Sequence, residues 1–172
     1  NENQLLPLSE RSKILLIGAF AEKPRFQGAG SSQVRPTQVD TLRQALTDYL
    51  GDIDYAQGYD PVASRSDQTL ITEAVAMAKH ADVALIYAGL PGIYESEGFD
   101  REHLDLPDQH NALITAVCAA NPNTVVVLAN GAPVTMPWID QVPAVIEGYL
   151  GGQASGSGLA DALMGVQNPA GK

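Results

Sequence analysis

Strand-length stretches that are apolar at every residue constrain this chain most. Ile14-Leu15-Leu16-Ile17, Val83-Ala84-Leu85-Ile86-Tyr87-Ala88 and Val125-Val126-Val127-Leu128-Ala129 offer no polar face to water. A strand of that kind has to be covered on both sides, as in a parallel sheet flanked by helices. The intervals supply those helices. Leu42, Ala45, Leu46, Tyr49 and Leu50 recur at helical spacing behind a possible cap at Asp40, and Leu70, Ile71, Ala74, Val75 and Ala78 do so behind Ser66 or Asp67. Pro107 opens a third helix with Ala112, Leu113, Ala116 and Val117 inward, ending near Asn121-Pro122. Leu159, Ala160, Leu163 and Met164 mark a short last one. Ile53 to Ala56 and Val142 to Tyr149 read as further strands. Strands alternating with helices predict an α/β fold, a three-layer αβα sandwich on a mostly parallel sheet of about five or six strands. At 172 residues the chain suits one domain and is too short for an eight-fold barrel of about 250 residues.

Charge and cysteine usage remove several classes of function. Twenty acids against ten bases give a net charge of −10 with no basic cluster, so no nucleic acid partner is expected. The longest apolar runs fall far short of a membrane span, and no membrane partner is expected either. Cys118 is the only cysteine and sits among Ala116, Val117, Ala119 and Ala120, which predicts a buried packing role. It excludes an intrachain disulfide and a multi-cysteine metal site. His80, His103 and His110 lack metal-ligand spacing, so no metal is expected.

Glu95-Ser96-Glu97-Gly98-Phe99-Asp100-Arg101-Glu102 is where chemistry concentrates. Five ionisable groups in eight residues follow the carboxyl end of a buried strand, where open α/β sheets bind ligands. The cluster suits acid/base work or recognition of a polar neutral ligand; its plain alternative is a solvated loop in which Asp100 and Arg101 pair. Residues 19 to 39 form a second long loop, with Pro24, Gly28, Gly30, Ser31, Ser32 and Pro36. Its Gly28-Ala29-Gly30-Ser31-Ser32 is no nucleotide fingerprint, because the glycines fall about ten residues past the strand and open no helix. A loop over a ligand and a plain turn remain. No Gly-x-Ser-x-Gly elbow occurs, which disfavours a serine hydrolase. Trp138 is expected in the core or at a domain interface.

In order, the segments resemble the C-terminal α/β sandwich domain of glycoside hydrolase family 3, the β-glucosidase and β-xylosidase family. The likeness runs through Leu5-Leu6-Pro7-Leu8, Lys13 to Gly18, Gly28 to Val34, Ala81-Asp82-Val83, Gly89-Leu90, Glu97 to Arg101 and Leu104 to Pro107. It continues through Asn121 to Val127, Gly131 to Val134, Met136-Pro137-Trp138, Gly151-Gly152-Gln153 and Asn168 to Lys172. The resemblance implies a retaining β-glycosidase acting on a β-linked glucoside or xyloside with two carboxyl groups about 5 Å apart and no cofactor. It implies that the nucleophile is an aspartate on a barrel domain preceding residue 1. The present domain then lends Glu97 as general acid/base, with Glu95 the runner-up and a substrate-binding group. Ser31 and Ser32 would line the aglycone end, and Asp100 and Arg101 would shape the loop. Residues 1–172 are thus expected to be one domain of a longer chain, inactive alone. A cytoplasmic setting is the default expectation, with secretion open. Near residues 58–67, where some relatives carry an inserted domain, only a short loop stands. The competing reading is a non-catalytic sugar-binding or interface domain.

Overall fold

The computed structural model describes residues 1–62, 67–98 and 100–170. Ser66 as an alternative helix cap, Phe99 of the acidic loop, and Gly171 and Lys172 lie outside them, as does part of the 58–67 loop. Five strands, β1 (Ile14–Ile17), β2 (Asp54–Ala56), β3 (Val83–Gly89), β4 (Thr124–Ala129) and β5 (Ala144–Glu147), form one sheet in the order β2-β1-β3-β4-β5. Every neighbouring pair is parallel, with Leu16 beside Tyr55 and Leu85, and Val126 beside Ile86 and Val145. β1, β3 and β4 are buried at every residue, which is why their sequences carry no polar alternation.

Four helices, α1 (Leu42–Leu50), α2 (Gln68–Ala78), α3 (Asp108–Ala120) and α4 (Ser155–Leu163), cover the sheet. The connection through α1 steps outward from β1 to β2, whereas those through α2 and α3 step the other way. Right-handed crossovers therefore place α1 on one face and α2 with α3 on the other. α4 packs on α1, and α2 packs on α3, completing the three layers. The direction of travel reverses between β1 and β3. The loops leaving those two strands therefore stand at the switch point, where open α/β sheets bind ligands.

Local details differ from the sequence reading in instructive ways. Thr41, not Asp40, caps α1, its hydroxyl accepting from Gln44 N at 3.2 Å. Asp40 is drawn away because its carboxylate accepts from Ser157 Oγ at 2.6 Å, tying the loop to α4. Asp67 caps α2 by accepting from Thr69 N. Pro107 stands at the cap of α3 rather than inside its first turn, and the inward face is Gln109, His110, Leu113, Ile114 and Val117, with Ala112 exposed. β5 is shorter than its apolar run because Pro143 brings no N–H and Tyr149 turns off at φ +50°. Trp138 is core, 1% exposed, and its Nε1 donates to Asn111 Oδ1 at 2.9 Å. Cys118 is half-buried.

Candidate active site

The two loops at the switch point meet through named side chains. β3 ends on Gly89 at φ +152°, where a Cβ would overlap the Ala129 carbonyl of β4. Only glycine lets the chain turn there. The turn is pinned by Leu90 N donating to Ala129 O at 2.9 Å and by Gly89 N donating to His110 Nδ1 at 3.3 Å. His110 lies wholly inside, against Phe20 and Tyr59, and burial pushes its pKa down to about 3. It is therefore a neutral ring whose Nδ1 can accept that amide.

From this turn the acidic loop climbs past Arg25. The guanidinium Nε donates to Leu90 O at 3.3 Å and an Nη donates to Glu95 O at 3.1 Å. The same Nη lies 3.7 Å from the Glu95 carboxylate, with the two side chains only 10% and 18% exposed. Glu95 Oε2 also accepts from Gly131 N at 3.1 Å, reaching the segment after β4. Burial lowers the Arg25 pKa and Glu95 pulls it only part of the way back. Beyond Gly131 a cleft of about 460 Å³ opens, lined among others by Asn130, Met136, Glu147 and Tyr149. Glu147 accepts from Asn130 Nδ2 at 3.2 Å and from Tyr149 N at 3.0 Å, and burial together with the charge of Glu95 raises its pKa.

Two residues on, Glu97 stands at the exposed tip. Its Oε2 accepts from both the hydroxyl of Ser31, at 2.7 Å, and the Ser31 backbone N–H, at 3.0 Å. These two donors hold the carboxyl below its ordinary pKa. Gly30, at φ +86°, makes the approach possible, since a Cβ there would stand 2.9 Å from Glu97 Oε2. The residues Ser31, Glu95 and Glu97, named as candidates from sequence, thus share one end of the sheet. Ser32 does not join them; its hydroxyl turns back to Ala29 O at 3.5 Å. Arg101 donates to Pro133 O at 2.8 Å and to Asp105 O at 3.5 Å, and among the described residues no ion pair joins it to Asp100. Among the described residues no group of three or more acids, histidines or cysteines is placed to hold a metal. No helix is long and apolar enough to cross a membrane among them.

Sequence reading missed Arg25, Gly131, Glu147 and His110. Arg25, Gly131 and His110 bond the end of β3 and the loop after it across 21 to 70 positions, beyond any local pattern.

Comparison with known proteins now decides the family. The profile described as glycosyl hydrolase family 3 C-terminal domain matches residues 1–172. The chain belongs to glycosyl hydrolase family 3. This family 3 domain is 50% identical over 175 residues to thermostable beta-glucosidase B of Acetivibrio thermocellus, covering all of the chain and 23% of that protein. It is 41% identical over 182 residues to an exo-alpha-(1->6)-L-arabinopyranosidase of Bifidobacterium longum, covering all of the chain and 24% of that protein. The crystal structure of a GH3 beta-glucosidase from Bifidobacterium adolescentis superposes with a TM-score of 0.91 at 43% identity, over 96% of the chain and 24% of that structure. The family 3 domain therefore spans about a quarter of the length of the relatives it matches.

Proposed function

We propose that this family 3 domain supplies the general acid/base of a retaining β-glycosidase whose nucleophile stands on a preceding barrel domain. The observation that carries the reading is the placement of Glu97. It is an exposed carboxyl at the tip of a loop, at the switch point of the sheet, touching the domain only through Ser31 among the hydrogen bonds described for it. Glu95, by contrast, is engaged by Arg25 and Gly131, which favours Glu97 for proton transfer and leaves Glu95 to shape the pocket wall or meet substrate beside Ser31 and Ser32. Asp100 and Arg101 shape the loop. The substrate class is a β-linked glucoside or xyloside; the arabinopyranosidase named above belongs to the same family, so the sugar is a matter for assay.

The chemistry needs Glu97 in two forms. As an acid it protonates the leaving oxygen; as a base it then takes a proton from water attacking the glycosyl-enzyme. The two Ser31 donors favour the carboxylate, the form wanted in the second step. Release of Oε2 from Ser31, with the nucleophile's negative charge about 5 Å away, raises the affinity for the proton needed in the first. A surface for the missing partner lies around the same loops. Val34, Val62, Ile93, Leu104 and Tyr149, all after the carboxyl ends of strands, are large apolar side chains between 53% and 76% exposed. Their placement at one end of the sheet offers apolar surface to the barrel.

The test is made in the full-length protein. Glu97→Ala should slow hydrolysis of a disaccharide by about 10²- to 10⁴-fold. Glycosylation by a dinitrophenyl glucoside, whose leaving group needs no proton, should stay comparatively fast. Azide, which needs no general base, should speed turnover and yield a β-glycosyl azide. Rescue of Glu95→Ala instead would exchange the two roles. Full activity of both variants would place the acid/base elsewhere and favour a non-catalytic sugar-binding or interface domain. The 172-residue piece alone should hydrolyse no aryl β-glucoside at a useful rate, because it holds only one of the two carboxyls.

A further inference from the structure

Arg25 joins the two loops of the switch point through two carbonyl acceptors and one facing carboxylate. Its fork takes the Leu90 and Glu95 carbonyls at 3.3 and 3.1 Å and faces the Glu95 carboxylate at 3.7 Å. These groups lie on the stretch from Leu90 to Glu95, between the pinned turn at Gly89 and the tip carrying Glu97. The same glycine-serine loop that brings Arg25 also brings Ser31 to Glu97. Every donor that the described hydrogen bonds give the Glu95 and Glu97 carboxylates, other than Gly131 N, thus comes from one loop after β1. The surroundings are acidic. Burial, and to a smaller extent the charge of Glu95, raise the Glu147 pKa, and the chain carries a net charge of −10.

We propose that Arg25 is a positioning residue for the acid/base step. It sets the reach of Glu97 by fixing the stem of the loop and by balancing Glu95, without touching the reacting atoms. The physical reason is geometric. Two carbonyls taken by different nitrogens of one planar guanidinium, with the Glu95 carboxylate facing it, fix both the distance and the tilt of the stem, which a lysine's single point charge cannot reproduce. Without the cation, Glu95 faces Glu147 with no counter-ion and is driven off Gly131, and the tip moves with it. A displacement of about 1 Å at a reacting group can cost about 10²-fold. The inference rests on the functional reading given above for Glu97.

The experiment compares Arg25→Met and Arg25→Lys with Glu97→Ala in the full-length protein, using a dinitrophenyl glucoside and an alkyl glucoside. Thermal melting of each variant is followed in parallel. Arg25→Met should lose about 10²-fold in kcat on the alkyl glucoside and only a few-fold on the dinitrophenyl glucoside, with azide restoring part of its turnover. Arg25→Lys, which keeps the charge but not the fork, should fall between Met and wild type, and it carries the test if the methionine variant does not fold. Equal losses on both substrates, following the melting temperature, would reduce Arg25 to a fold-stabilising residue and overturn the proposal. Wild-type rates on both substrates would overturn it as well. If Glu97→Ala shows the leaving-group signature and the Arg25 variants do not, this inference alone fails. If Glu97→Ala lacks that signature, the reading of the site fails and the inference goes with it.

Discussion

Two carboxylates, two residues apart on one loop, are held in opposite manners. Glu95 belongs to a stem that begins at a glycine packed on the neighbouring strand, is pinned by His110, and meets an arginine that is 10% exposed. Glu97 belongs to a tip that is exposed and touches Ser31 of the facing loop. The stem's interactions reach into the core, so they are shielded from solvent and tied to folding. The tip's interactions lie in water, where a hydrogen bond can be exchanged at small cost. On the function proposed for Glu97, the difference separates two tasks: the stem decides where the carboxyl stands, and the tip leaves it free to change partners.

Substitutions along the loop should therefore shift from folding to ionisation. Gly89→Ala attacks the base of the stem, where a Cβ would overlap the Ala129 carbonyl at a φ that other residues avoid. It should cost about 3 kcal/mol or more, read as a fall in the denaturant midpoint, and tolerance of the change would dissolve the contrast between stem and tip. Glu95→Ala leaves a largely buried arginine without its counter-ion and should cost about 1 to 3 kcal/mol. A loss no larger than that of an ordinary surface change would show that the stem does not depend on the pair.

The anchor beneath the stem gives a dependence on pH. His110 has a folded pKa of about 3, below the ordinary 6.5, so the unfolded chain binds its proton first on acidification. Its contribution to stability is complete above pH 6.5 and is lost as pH falls from there towards 3, at up to about 1.4 kcal/mol per pH unit. Glu97, also lowered, loses its smaller part as pH falls through its own folded value. Denaturation followed from pH 7 to 4 should show stability declining, and His110→Gln should flatten the curve. An unchanged slope in that variant would remove the histidine from the account.

The smallest effect belongs to the tip. Ser31→Ala removes one of two donors from an exposed carboxylate and should change stability by no more than about 0.5 kcal/mol. The Glu97 carboxyl should nevertheless titrate higher than in wild type, measurable by carbon NMR. A shift downward, or none, would mean that Ser31 does not govern its ionisation.

Much of the architecture is legible in residues near one another. Ile14 to Ile17, Val83 to Gly89 and Thr124 to Ala129 are strands because unbroken apolar runs need cover on both faces, and that need predicts the helices between them. The acidic loop is legible for the same reason, as charges placed after a buried strand. Residue order along the chain, matched to family 3, supplied the candidate roles of Glu97, Glu95 and Ser31. What local pattern could not contain is which loops face each other. Strand order reverses between β1 and β3 only in three dimensions, and that reversal sets Arg25 against Glu95 and Ser31 against Glu97 across 66 to 70 positions. Helix capping followed the same division. Asp40 and Thr41 are both good caps by type, and the contact with Ser157, 117 positions away, decided between them. Periodicity records how much of each segment must be buried; partners that meet across the sheet are chosen by packing of the whole chain.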